Sequence, residues 1–536
     1  MTEPARTASV ARSSAGMAAG TLVSRVLGVV RLVLQTWALG GTTAAANAWT
    51  NANTLPNIVY LLLAGGMLNA ILVPQLTKAM MRPDGGRDFT DRLITLILVA
   101  LAGVTLVFTL GAAFLVKFYA VSFRGDVLDL AIAFAFICMP QIFFYGLYTL
   151  LGQVLNSRDK FAAFMWAPAL ANLVGIAGLG LFLAVMPRQA PPGEWTAGMI
   201  WLLAGSFTLG IVLQAAILFV PVWRTGFRWR PRWGFRGVGL RSASRVAMWT
   251  FAIIGLSQLG IWVTSNVVNH ASTSGDGVAG RYAYEQASLL FVLPHSLITV
   301  SLVTALFPRM SRAAHRDDRP ALRADLRQGL RLIGVATVPI TLGLLVLGPA
   351  LAETLLFMNT RHDADAIAFV MMAMVLGLVP YGVYALMYRG FYAFEDGRTP
   401  FKLQLIITGV SVGGTLLALL LPPDRVAIGA GLAQAVGQAG AGVAGLVWMR
   451  RRVDHLGLHP VLRTYVRVTV AAVLAAAVAW AVQLGTTTVA AGRAGVAAGL
   501  VLGGLALLAV YVLAARRMRV AEITDLTALV TRRLGR

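Results

Sequence analysis

The chain has 536 residues, 58% hydrophobic and only 12% charged, with a mean hydropathy of +0.74. Ordinary soluble domains are about 45–50% apolar and about 25% charged, so these values exclude a large soluble core and indicate a polytopic membrane protein. The net charge of +23 sits in loops between hydrophobic spans, which favours the positive-inside rule over nucleic-acid binding. Cys138 is the single cysteine, so an intrachain disulfide and a cysteine metal cluster are both excluded.

Hydropathy and length predict about fourteen spans, at residues 15–39, 46–77, 93–116, 128–156, 161–186, 197–223, 246–269, 282–308, 329–356, 366–394, 401–422, 426–449, 464–484 and 491–515. The second, fourth, eighth and tenth are over-long, which predicts tilting, kinking or extension beyond the bilayer. Residues 1–14 carry Arg6 and Arg12 before an apolar run, as a signal peptide does, but the run continues to Leu39 and reads as a retained first helix.

That first span holds Arg25 and Arg31, both deep within it. An arginine at mid-bilayer costs about 2.5–3.5 kcal/mol on insertion scales, so such charges are expected to face a wet, anion-binding cavity rather than lipid. Snorkelling to an interface is the plain alternative. Six residues at about 100° each set the two arginines about 120° apart, so one cavity takes both only through sideways reach or a bend, with Gly28 the candidate position. The second span opens with Asn47, Asn51 and Thr54 on one helical face, then Pro56-Asn57. This polar stripe suits sugar and phosphate oxygens, and equally suits hydrogen-bond glue between helices.

Arg224–Arg245 mixes seven arginines with Trp and Phe, and reads as an interfacial linker against anionic headgroups. Span seven carries Ser257, Gln258, Thr264, Ser265, Asn266 and Asn269; span eight opens with Arg281, Tyr282, Tyr284, Glu285 and Gln286. Glu285 lies four residues after Arg281, and simple pairing is its expected role beside cation coupling. Arg389, at the inner end of span ten, is either cavity-lining or positive-inside charge. Basic residues split 36 to 7 between the two sets of loops, which predicts both termini in the cytoplasm.

Leu72-Val73-Pro74-Gln75-Leu76-Thr77-Lys78-Ala79 matches Leu306-Phe307-Pro308-Arg309-Met310-Ser311-Arg312-Ala313, and Tyr145-Gly146-Leu147-Tyr148 matches Tyr381-Gly382-Val383-Tyr384, at offsets of 234 and 236. Six spans separate the copies, so the expected all-α architecture is two parallel six-helix lobes plus two C-terminal helices. The expected divisions are residues 1–225, a basic linker at 226–245, a second lobe at 246–450, and the extra pair with its tail at 451–536. The extra pair suits either a groove for an acyl or prenyl chain or a packing surface. No Walker loop, HExxH or dinucleotide fingerprint is present, and the six histidines are scattered, so neither an enzyme nor a cofactor or metal site is expected.

Thr21-Leu22-Val23-Ser24-Arg25-Val26-Leu27-Gly28-Val29-Val30-Arg31, Leu55-Pro56-Asn57, Leu72-Val73-Pro74 and Gly390–Pro400 together resemble the MurJ/MviN family of lipid II flippases. The resemblance implies the fold of the multidrug/oligosaccharidyl-lipid/polysaccharide exporter superfamily. It also implies movement of the undecaprenyl-pyrophosphate-linked peptidoglycan precursor to the outer leaflet of a bacterial plasma membrane. Arg25 and Arg31 match the family's cavity arginines, and the expected substrate contacts are Arg25, Arg31, Asn47, Asn51, Asn57, Arg281 and Glu285. Leu32, Asn47, Tyr60 and Ala64-Gly65-Gly66 depart from charged residues that many members carry, differences compatible with an actinobacterial branch. The expected partners are lipid II and membrane lipids, with cell-wall synthesis proteins as further candidates, no nucleic acid, and a monomeric chain. A polysaccharide-lipid or drug exporter of the same superfamily, or a non-transporting scaffold for cell-wall enzymes, are the rival readings.

Overall fold

The computed structural model describes residues 3–63, 87–156, 158, 160–226, 228–234, 245–275 and 277–524. The motif at Leu72–Ala79, Ala64-Gly65-Gly66 and part of the basic linker lie outside the described residues. Among the described residues every regular element is helical, and twelve helical segments are long and apolar enough to cross a membrane. A further pair, bent by 48°, makes a thirteenth when counted as one span. The second expected span is described only over Ala44–Leu63. With hydrocarbon as solvent, helices are the way for a chain this apolar to satisfy its own backbone. Side chains such as Leu110, Phe114, Trp201 and Leu513 stand outward, each more than 60% exposed, as a lipid-facing surface requires.

The described chain divides into two compact units at Gln258 and Leu259. The first contains α1 (Glu3–Leu39), α2 (Ala44–Leu63), α3 (Arg87–Leu110), α4 (Ala112–Tyr119), α5 (Gly125–Cys138), α6 (Gln141–Asn156), α7 (Phe161–Val185), α8 (Ala197–Ala216) and the short α9 (Phe219–Arg224). Helix α1 packs along α7, and α7 packs along α8. Small residues set that closeness: a Cβ on Gly210 of α8 would lie 2.9 Å from the backbone oxygen of Ala171 on α7.

The division falls within α10 (Arg245–Ser272). The second unit continues with α11 (Arg281–Pro294), a π-turn at His295–Thr299, α12 (Val300–His315), α13 (Arg319–Leu355), α14 (Arg361–Val375), α15 (Leu378–Ala393), α16 (Arg398–Leu417), α17 (Pro423–Arg452), α18 (His459–Val489) and α19 (Arg493–Arg517). Helices α18 and α19 pack on each other and on α13. Tyr465 donates to the Leu330 carbonyl at 3.1 Å, and Tyr511 donates to that of Val335 at 2.6 Å. Asp396 accepts from the backbone N–H groups of Arg398 and Thr399, so part of the Gly390–Pro400 motif is the N-terminal cap of α16.

The over-long spans four, eight and ten are interrupted, whereas the described part of span two, Ala44–Leu63, is one unbroken helix. Span four breaks between α5 and α6 at Met139-Pro140, span ten between α14 and α15 at Leu376-Gly377, and span eight at the π-turn. The offset of 236 residues carries the first residue of α5, Gly125, onto the first of α14, Arg361. The breaks in spans four and ten thus repeat along with the sequence.

Opening a helix frees backbone groups that hydrocarbon cannot satisfy. In span four a neighbour supplies the partner. The Thr208 hydroxyl on α8 donates to the Ile137 carbonyl at 3.0 Å and accepts from Gln141 Nε2 at 2.9 Å. Thr208→Val keeps the shape and deletes both bonds, so it should cost about 1–3 kcal/mol. The thermal midpoint of the purified protein measures this, and an unchanged midpoint refutes the bridge.

Candidate functional site

A polar concentration in the first unit begins at Arg31. Helix α1 is fixed against α7 by Asn172, whose Nδ2 donates to the Ser24 carbonyl at 2.9 Å. About two turns further on, Arg31 points to the same side. It passes Gly175, where an added Cβ would stand 3.4 Å from the arginine Cδ. Its guanidinium carbon then lies 5.4 Å from the centre of the Phe207 ring on α8. Such a face stabilises a cation by about 0.5–2 kcal/mol, depending on desolvation. Phe207 is held edge-on by the buried Trp49 of α2, with ring centres 4.9 Å apart.

Tyr145 on α6 lies near Asn57 of α2 and in the field of Arg31. Tyr145 stacks on Tyr60 at 5.4 Å, and the Tyr60 and Thr149 hydroxyls are hydrogen-bonded. Arg31, Asn57, Tyr60, Tyr145 and Thr149 therefore form one neighbourhood that combines a fixed cation with neutral donors and acceptors. Chemically this can hold an anionic oxygen cluster. Sequence reasoning did not select Tyr60, Tyr145 or Thr149 as contacts. The repeated Tyr-Gly-x-Tyr motif at 145–148 and 381–384 was the available signal.

Other expected contacts lie elsewhere. Asn47 and Asn51 are only 2% and 4% exposed, and Asn51 Nδ2 donates to the Asn47 carbonyl at 2.8 Å within α2. This is the setting of helix-packing polar residues. Arg25 is half-buried on α1, and its neighbours Leu22 and Val26 are more than half exposed. Helix α1 runs unbroken past Gly28, so the 120° divergence between the arginines stands.

In the second unit, Arg281 is buried and its Nη2 contacts Glu285 Oε2 at 2.8 Å, the expected i, i+4 pair. The Glu285 side chain is 44% exposed, which moderates the pair's strength. Glu285→Gln should lower stability by about 1 kcal/mol while transport persists. Loss of transport at an unchanged thermal midpoint would instead assign Glu285 to coupling. Among the described residues no group of three His, Cys, Asp or Glu is placed to hold a metal ion.

The family model described as "Lipid II flippase MurJ" matches residues 38–493. The chain belongs to the MurJ family. The lipid II flippase MurJ of Burkholderia cenocepacia is 30% identical over 406 residues, covering 73% of this chain and 75% of that protein. A probable lipid II flippase MurJ from Synechocystis sp. is 27% identical over 423 residues, 77% of each chain. In fold, the chain resembles a lipid II flippase MurJ in an inward closed conformation, with a TM-score of 0.73, 20% identity, and coverage of 94% of this chain and 99% of that one. It also resembles an inward-facing multidrug transporter of the MATE family, with a TM-score of 0.64, 13% identity, and coverage of 81% and 96%. MurJ membership and the apolar helices together make this a multi-pass membrane protein.

Proposed function

We propose that the chain is a lipid II flippase, carrying the undecaprenyl-pyrophosphate-linked peptidoglycan precursor from the inner to the outer leaflet of a bacterial plasma membrane by alternating access. The observation that carries this reading is the family match across residues 38–493. The neighbourhood of Arg31 supports it: a guanidinium fork presents paired donors that suit pyrophosphate oxygens. In this reading Arg31 attracts the pyrophosphate, Asn57 and Tyr145 contact neighbouring oxygens, and the polyprenyl tail stays in hydrocarbon. Both termini lie in the cytoplasm, as the 36-to-7 distribution of basic residues supports. Each unit charge moved across the membrane gains or loses about 2.3 kcal/mol per 100 mV, enough to bias return of the empty carrier. The chain acts as a transporter without catalytic chemistry, as a monomer.

The fold likeness to a multidrug transporter raises drug export as a second reading. Cationic drugs call for an acidic site, whereas the described site is built on arginine. The test measures lipid II accessibility at the outer leaflet of bacteria depleted of their own flippase. Expression of this chain should restore access. No restoration by membrane-inserted protein, together with binding of cationic drugs but not pyrophosphate lipid, overturns the proposal.

A further inference from the structure

Away from Arg31, the first unit contains a cavity of about 520 Å³. It lies between the start of α3, the end of α6 and the short α9, at the end of the bundle where the chain enters the basic linker. Ten of its eleven lining residues are aliphatic or aromatic, among them Leu98, Leu150 and Trp223, and the eleventh is Arg228. Ligand cavities span about 300–1,000 Å³, so this one has room for a hydrocarbon chain.

Residues 228–234 form a strap that closes one side. Trp229 donates its indole N–H to Thr95 Oγ1 at 3.2 Å, while the backbone N–H groups of Arg230 and Arg232 bond Asp91 Oδ1 and Thr95 Oγ1 at 3.3 and 3.1 Å. Asp91 and Thr95 are buried, and Arg232 lies 3.9 Å from the Asp91 carboxylate. The local acid is therefore occupied by the strap. Arg228 behaves differently: it is exposed, borders the cavity, and makes no ion pair or hydrogen bond among the described residues. Exposed Arg224 and Arg230 flank it. Trp223, 66% exposed, stands at the cavity wall, where an amphipathic ring suits the level of lipid headgroups.

We propose that this cavity binds one acyl chain of an anionic glycerophospholipid whose phosphate rests on Arg228. An apolar chamber bordered by an arginine matches a ligand with an apolar tail and a negative head. Charge selects the anionic class over the zwitterionic one, because each basic side chain near a lipid surface contributes about 1 kcal/mol toward anionic lipid. The site requires neither lipid II nor transport, so it stands or falls separately from the flippase reading.

The test is native mass spectrometry of the delipidated full chain in detergent, titrated with phosphatidylglycerol or with phosphatidylcholine of the same acyl chains. One phosphatidylglycerol should be retained in preference to phosphatidylcholine. Arg228→Gln should weaken its binding about fivefold. Leu98→Trp should abolish it by filling the chamber, and Trp223→Ala, at an exposed position that folding tolerates, should weaken it. Arg316→Gln, exposed in the second unit, should change nothing. Equal retention of both lipids overturns the proposal. So does wild-type affinity in both Leu98→Trp and Trp223→Ala, or an Arg316→Gln loss as large as that of Arg228→Gln.

Discussion

Cells that depend on this chain and carry Arg31→Ala will present at least tenfold less lipid II at the outer leaflet, although the protein reaches the membrane in normal amount. Hydrogen bonds to charged groups contribute about 1.5–3 kcal/mol each, and 1.4 kcal/mol is about tenfold, so loss of a two-pronged contact exceeds that threshold. Arg31→Lys keeps the charge but gives up the planar fork, and should recover only a small part of the activity. Gly175→Val provides an independent arm. The valine occupies the space through which the Arg31 side chain passes, 3.4 Å from its Cδ, and should impair transport with the arginine still present. Undiminished outer-leaflet lipid II in Arg31→Ala would remove this residue from the transport pathway.

A large structural effect is expected at Gly210. Its Cβ position lies 2.9 Å from a backbone oxygen and 3.4 Å from the Cα of Ala171, so the obstacle is backbone that cannot rotate away. Gly210→Val should force α8 from α7 at a cost of about 1–3 kcal/mol, lowering the thermal midpoint in detergent by several degrees. Phe207 is less than one turn away on the same helix, so the platform under Arg31 moves with it. A loss of transport at a temperature where the variant remains folded is the expected companion result. An unchanged midpoint would show that the two helices have room to separate.

Much of the architecture was legible in the sequence because hydrocarbon imposes a length and an apolarity on every span. The over-length of spans four, eight and ten announced their interruptions. Their positions were less legible: Pro140 marks one, whereas Leu376-Gly377 marks the corresponding break without a proline. Helical spacing correctly placed Arg281 beside Glu285, because i, i+4 contacts are local. The same spacing put Asn47 and Asn51 on one face but carried no information about what that face meets, and it meets packed protein. The seat of Arg31 was invisible for a related reason. Gly175 and Phe207 are far along the chain, and only helix packing brings them to the arginine. In the Gly390–Pro400 motif, Asp396 proved to be a helix cap, a role that loop composition alone does not distinguish from ligand contact.

The break in span four has a consequence for a membrane that stores energy. Cys138, Met139 and Gln141 are at most 1% exposed, and the opened carbonyl of Ile137 is satisfied by a neighbouring hydroxyl. The packed side of the joint is therefore closed by side chains. A kink lined by solvent would offer protons a shortcut across the bilayer and drain the gradient. A joint closed by side chains lets two half-helices pivot while the insulating barrier stays intact.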